Sequence, residues 1–413
     1  MEQQRNISSI VWCTREKVLI ATARRVLVIN VLRCVCVACL VGGGVAQRGP
    51  SDPVELWGKE LLPPLSRTAS EIAPVAGVTF LDSRQLVVYA VDKDLRHLSS
   101  RESPEQSSPF RLHVWIVDAD SGKTNVHKEW GTRSFGSEVK ATSNGILVKT
   151  GAIVKLYGAD LSDARDLPVS LETNGTYYTS VSVSGNSIAL VHYARKAEHF
   201  ISHVDVIDAN SLKIFYSSDQ YPTTFHISMS DRTFLTAIGG ALKRVEFRHP
   251  DQARTVPRPP SKNCPAGGSG PIVISDDLVA FRGCEAVIAL SAKGNSYILG
   301  AFNGYGTRTP SQNSSCEPYF EEFSRKSSVA SEGRFVAFAL SSFRMKRPLF
   351  GEPRKCLDAI RIGVFDLAQK KQTSTIDVGK DADAFDFALS PDGSRLAVLK
   401  GREVSVYSMV DGR

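Results

Sequence analysis

Short apolar runs, each preceded at once by a small polar turn, recur seven times along the chain. Asp82-Ser83 precedes Leu86-Val87-Val88, Ser143-Asn144-Gly145 precedes Ile146-Leu147-Val148, and Ser184-Gly185-Asn186 precedes Ile188-Ala189-Leu190. Ser230-Asp231 leads into Phe234-Leu235, and Ser275-Asp276-Asp277 into Leu278-Val279-Ala280. Ser331-Glu332-Gly333 leads into Phe335-Val336-Ala337, and Ser390-Pro391-Asp392-Gly393 into Leu396-Ala397-Val398. Turn-forming residues directly ahead of apolar, β-branched runs predict tight hairpins.

A second pattern gives an independent count. Apolar residues alternate with period two and close on a polar or small residue in Val114-Trp115-Ile116-Val117-Asp118, Val204-Asp205-Val206-Ile207-Asp208 and Ile362-Gly363-Val364-Phe365-Asp366, with weaker copies closing at Gly158, Arg248, Ser291 and Ser408. Period two means strand. Seven hairpins and seven closing residues, mostly 40 to 50 residues apart, predict units of four short strands. Units of roughly 40 to 45 residues with four strands each are the pattern of propeller blades. No segment of about 12 residues carries helical periodicity, which argues against an α/β arrangement.

The last repeat, Ser390-Pro391-Asp392-Gly393-Ser394-Arg395-Leu396-Ala397-Val398, resembles the repeat of bacterial WD-like propellers of the TolB and YVTN types. Proline suits the fixed-φ position of such a turn and glycine the positive-φ position. The resemblance covers nearly all of residues 54–413 in spacing, although only the last repeat carries the full motif. It implies an all-β, seven-bladed β-propeller. Counting strands a to d outward, the last repeat supplies Phe385 to Leu389, Leu396 to Leu399 and Glu403 to Met409, with no fourth strand after them. Residues 54–62 form a spare strand near the other end of the chain. They are expected to complete the last blade, so that no edge is left open to aggregation.

Composition adds a compartment. Of 413 residues, 42% are hydrophobic and 23% charged, as in ordinary globular proteins. Arg24-Arg25, an apolar stretch to Val41 and the small residues Gly44 and Ala46 have the layout of an export signal over residues 1–46. The formal charge of +7 falls to +3 once that leader, with six basic and two acidic residues, is set aside. Such a balance argues against nucleic acid as a partner. No later segment is long and apolar enough to span a membrane. The expected location is periplasmic or extracellular. Four cysteines follow the leader, and their places relative to the predicted strands suggest pairing Cys264 with Cys284 and Cys316 with Cys356.

Between the hairpin turn and the third-strand anchor, the first, third and sixth repeats span 36, 24 and 35 residues, whereas the other four span 15 to 18. This difference predicts long loops between the second and third strands on one face, where binding surfaces concentrate. The sixth-repeat insertion carries Arg344, Lys346, Arg347, Arg354 and Lys355 against the single acid Glu352, a candidate grip on an anionic partner. The first-repeat loop adds Arg96, His97 and Arg101, and the third Arg195, Lys196 and His199.

Catalytic signals are sparse. His199 and His203 fall in a predicted strand, about 13 Å apart and too far to share an ion. His192 and His226 have no partner at a diagnostic spacing, and Glu321 and Glu322 point to opposite strand faces. The chain has no Gly-x-Ser-x-Gly, no phosphate-binding glycine loop and no repeated tryptophan motif. No cofactor and no metal site are expected. The sequence thus reads as an exported, monomeric interaction module that binds a protein or an anionic envelope component through its loop-rich face. The alternatives are a lyase or hydrolase with His226 or another histidine at the channel mouth, and a purely structural envelope protein.

Overall fold

The computed structural model describes residues 53–62, 76–93, 110–132, 137–151, 153–168, 176–196, 199–218, 228–238, 241–256, 272–282, 286–291, 296–301, 319–346, 354–379 and 385–409. The segment 1–46, with its expected leader, lies outside them. Among the described residues there are no helices, and 28 strands form seven four-stranded antiparallel sheets.

The first strand, β1 (Val54–Glu60), stands ahead of the repeats. Sheet one contains β2 (Ala76–Phe80), β3 (Gln85–Lys93), β4 (Phe110–Asp118) and β5 (Thr124–Thr132). Sheet two contains β6 (Glu138–Thr142), β7 (Gly145–Thr150), β8 (Ile153–Tyr157) and β9 (Arg165–Asp166). Sheet three contains β10 (Thr176–Val181), β11 (Ser187–Lys196), β12 (His199–Asp208) and β13 (Ile214–Ser218). Sheet four contains β14 (Ser228–Met229), β15 (Thr233–Ile238), β16 (Ala241–Glu246) and β17 (His249–Thr255). Sheet five contains β18 (Ile272–Ser275), β19 (Leu278–Arg282), β20 (Ala286–Ser291) and β21 (Ser296–Ala301). Sheet six contains β22 (Tyr319–Val329), β23 (Phe335–Lys346), β24 (Arg354–Asp366) and β25 (Lys371–Gly379). In sheet seven, β26 (Phe385–Leu389), β27 (Arg395–Lys400) and β28 (Glu403–Ser408) are followed by β1 as the outer strand.

All seven predicted turns join the first and second strands of a sheet. The aspartates that close third strands have a local cause. Asp118 Oδ1 accepts the backbone N–H of Asp120 at 3.1 Å and of Ser121 at 2.8 Å; Asp208 does the same for Asn210 and Ser211, and Asp366 for Ala368 and Gln369. Four residues after each aspartate the backbone is left-handed, with φ of 68° at Gly122, 55° at Leu212 and 55° at Lys370. A short side chain that satisfies its own turn therefore marks where the third strand must reverse.

Apolar residues of facing strands pack between consecutive sheets in seven clusters. In one of them Leu86, Val88 and Trp115 of sheet one lie with Ala397, Leu399, Val404 and Val406 of sheet seven. The others join sheets one and two, two and three, three and four, four and five, five and six, and six and seven. Each fully buried Val, Leu, Ile or Phe in these seams contributes on the order of 1.5–3 kcal/mol. β1 pairs with β28 from Val54↔Ser408 to Glu60↔Glu403, and beyond it the N–H groups of Leu61 and Leu62 both donate to the Arg402 carbonyl. Repeated sheets of this kind fit a WD-like propeller.

The expectation of long second-to-third loops in the third and sixth repeats requires correction. The additional length lies in the strands. β11 and β12 have ten residues each and pair to Lys196↔His199, while β23 and β24 have 12 and 13 and pair to Lys346↔Arg354. Extended pairing satisfies backbone groups that a loop would leave to water. In sheet one β3 and β4 pair to Lys93↔Phe110, and residues 94–109 lie outside the described part.

Candidate functional site

The basic residues expected to grip a partner are brought to one hairpin. Arg344 and Lys346 lie on β23, and Arg354 and Lys355 lie on β24, with Met345↔Lys355 and Lys346↔Arg354 in register. Arg347 lies outside the described residues, as do Arg96, His97, Arg101, His226, Cys264, Cys284 and Cys316. Cys356 is on strand β24 opposite Arg344 and not in a loop. His199 and His203 both lie on β12, as expected.

His203 meets two groups of interest. Its Nε2 is 3.0 Å from Asp205 Oδ1 and 3.2 Å from Ser217 Oγ. Both contacts use one ring nitrogen, whereas a serine–histidine–carboxylate relay needs the two partners on opposite nitrogens.

A side-chain cluster overlooked in the sequence occupies the β4–β5 hairpin. His113 on β4 faces Glu129 on β5 in register, and Trp115 faces His127, so alternation places all four on one sheet face. His113 Nδ1 lies 3.2 Å from Glu129 Oε1 and 3.4 Å from His127 Nε2, and His127 Nε2 lies 3.8 Å from Glu129 Oε1. Arg111, two residues before His113, donates to the other carboxylate oxygen, Glu129 Oε2, at 3.0 Å. The His127 ring is parallel to the Trp115 indole within 1°, at a centroid distance of 4.9 Å. Trp115 is itself buried in the seam with sheet seven, so a rigid wall backs the cluster.

Burial pushes the His113 imidazole below its ordinary value, against the attraction of Glu129. At Glu129 burial acts to raise the carboxyl, but the Arg111 hydrogen bond and the two imidazoles outweigh it and hold the group below its ordinary value. Two imidazole nitrogens converging on one carboxylate oxygen are a cation-binding set. The signal was present in sequence as His127-x-Glu129 just after the Asp118 turn, with His113 at the mirrored position before it.

A second polar cluster joins sheets two and three. Glu138 on β6 accepts from Lys149 Nζ at 2.8 Å and from Thr179 Oγ1 of β10 at 2.5 Å, and Lys140 Nζ lies 3.2 Å from the same carboxylate. Lys140 also donates to the Thr179 carbonyl. Burial opposes ionisation of Glu138, but the charges of Lys140 and Lys149, with hydrogen bonds from Lys149 and Thr179, bring it down to about 2. This cluster sets two lysines against one carboxylate and fixes one sheet on the next.

No family model matches the sequence, and no curated protein matches it. Among solved structures, the Neurospora crassa Pan2 WD40 domain is similar at 10% identity and a TM-score of 0.48, over 88% of this chain and 97% of that chain. Among the described residues no helix is long and apolar enough to cross a membrane.

Proposed function

We propose that the protein is a seven-bladed β-propeller, closed by β1, that works as an interaction module. The observation that carries the ring is the set of seven apolar seams, because the seam between sheets seven and one leaves neither end of the series uncovered. The module presents its second-to-third hairpins of sheets one, three and six. These strands run to 9–13 residues, whereas the same pair in sheet two has 6 and 5. Three to eight additional residues project a hairpin by roughly 10–26 Å. The three arms would stand on one face and surround a partner.

The arm of sheet six makes that partner anionic, through Arg344, Lys346, Arg347, Arg354 and Lys355. A defined acidic polymer, polyglutamate, tests this on the full chain. Retention should fall as salt rises from 50 to 500 mM, roughly through the range where screening contracts below 10 Å. It should fall again when all five residues are changed to serine. Equal retention of wild type and variant at every salt concentration rejects the basic arm. Export through residues 1–46 and the pairs Cys264–Cys284 and Cys316–Cys356 belong to the same reading. N-terminal sequencing of the secreted chain and non-reducing peptide mapping test them.

A further inference from the structure

We infer that His113, His127 and Glu129 form a binding site for a divalent transition-metal ion of the zinc class, stapling β4 to β5. Two imidazole nitrogens and one carboxylate oxygen select zinc-like ions over magnesium and calcium, which favour all-oxygen sites.

The distances fit the proposed ion. Zinc bonds nitrogen and oxygen at about 2.0–2.1 Å in tetrahedral sites, so neighbouring ligand atoms stand about 3.3–3.4 Å apart. The three edges of this cluster are 3.2, 3.4 and 3.8 Å. Three ligand atoms thus already stand close to one face of a tetrahedron, with the fourth corner open to water or to a partner's side chain.

The supporting groups favour the same geometry. Arg111 occupies Glu129 Oε2 and leaves Oε1 toward the imidazoles. Trp115 restricts the His127 ring, as outer partners of metal ligands commonly do. His127 and Glu129 have side chains 38% exposed, so an ion can reach them without opening the core. The imidazole nitrogens of His113 and His127 share a hydrogen bond at 3.4 Å. The ion takes the place of the shared proton: the donor ring gives that proton to solvent and takes one up on its other nitrogen, so each imidazole still carries a single proton. The Arg111 charge opposes the ion and sets affinity below that of an all-neutral shell.

Calorimetric titration of the full chain with zinc chloride should show one equivalent bound at micromolar concentrations, with no heat from magnesium chloride. Co²⁺ should give the visible bands of a tetrahedral site. His127→Ala and Glu129→Gln should each weaken zinc binding at least tenfold and abolish zinc-dependent elevation of Tm. His203→Ala should leave binding unchanged. Both test residues are exposed, so the variants fold even if His113→Ala does not. No zinc uptake by wild type, or equal affinity in wild type and the His127 and Glu129 variants, overturns the site.

Discussion

The indole N–H of Trp57 donates to the carbonyl of Ala119 at 2.8 Å, tying the outer strand of sheet seven to the third-strand end of sheet one. The same ring covers Gly122, whose φ of 68° forms the following turn, and a Cβ there would stand 3.0 Å from the indole. One side chain therefore ties sheet seven to sheet one.

Trp57→Ala removes the hydrogen bond and the packed indole and should cost roughly 2–4 kcal/mol, measured by urea denaturation. Trp57→Phe keeps a ring in place and should cost about 1–2 kcal/mol. Deleting residues 54–60 exposes the edge of β28 and should produce aggregation, followed by light scattering. A deletion variant as stable and as dispersed as the parent rejects the closing role of β1.

Glu138→Gln leaves the buried Lys149 beside a neutral amide and should destabilise the chain by about 3–5 kcal/mol. The depressed carboxyl of the native protein contributes stability that is full above its ordinary value of 4.5 and is lost as pH falls toward about 2. Urea midpoints measured between pH 5 and pH 2 should fall less steeply in the variant than in wild type. Parallel pH profiles would show that Glu138 is not a principal acid-sensitive group.

Asp231 gathers sheet three onto the turn of sheet four. It accepts from Ser182 Oγ at 2.6 Å, Ser184 Oγ at 2.7 Å, Asn186 Nδ2 at 3.1 Å and Ser187 Oγ at 3.3 Å. Burial acts to raise its carboxyl, but these donors hold it below its ordinary value. Asp231→Ala should cost about 2–3 kcal/mol, and Ser184→Ala less because one donor among four is lost. Hydrogen exchange should accelerate at the two turns before it changes in sheet six.

Gly145 opens β7 at a φ of 130°, and a Cβ there would come within 1.9 Å of the Tyr157 carbonyl oxygen. Backbone cannot yield as a flexible side chain can. Gly145→Ala should lower stability by at least about 2–3 kcal/mol, read as a lowered Tm, whereas Gly151→Ala, with open space around it, should show only the cost of its left-handed φ of 65°.

The sheets were legible because each repeat writes two local signals, a polar hairpin turn and an Asp-type closing turn, and both depend on a few neighbouring residues. Lengths of strand against loop were not. Arg344 and Lys355 look like loop residues in sequence, since a charged stretch interrupted by Pro348 and Pro353 reads as loop, yet they stand on β23 and β24. The His113, His127 and Glu129 cluster was hidden for another reason. Its members are 14 and 16 residues from His113 along the chain, and only the register across the Asp118 turn places them together. A histidine search confined to short spacings within one strand passes over such a pair.

The pairing of Val54 with Ser408 also sets an order in time. β1 leaves the ribosome before any other strand of the seven sheets, yet its hydrogen-bonding partner is the last made of the 28 described strands. The earliest strand must therefore stay uncommitted while six complete sheets assemble behind it. A nascent chain halted before Phe385 lacks β26, β27 and β28, the strands of sheet seven that cover sheet one, and that apolar face of sheet one stays in water.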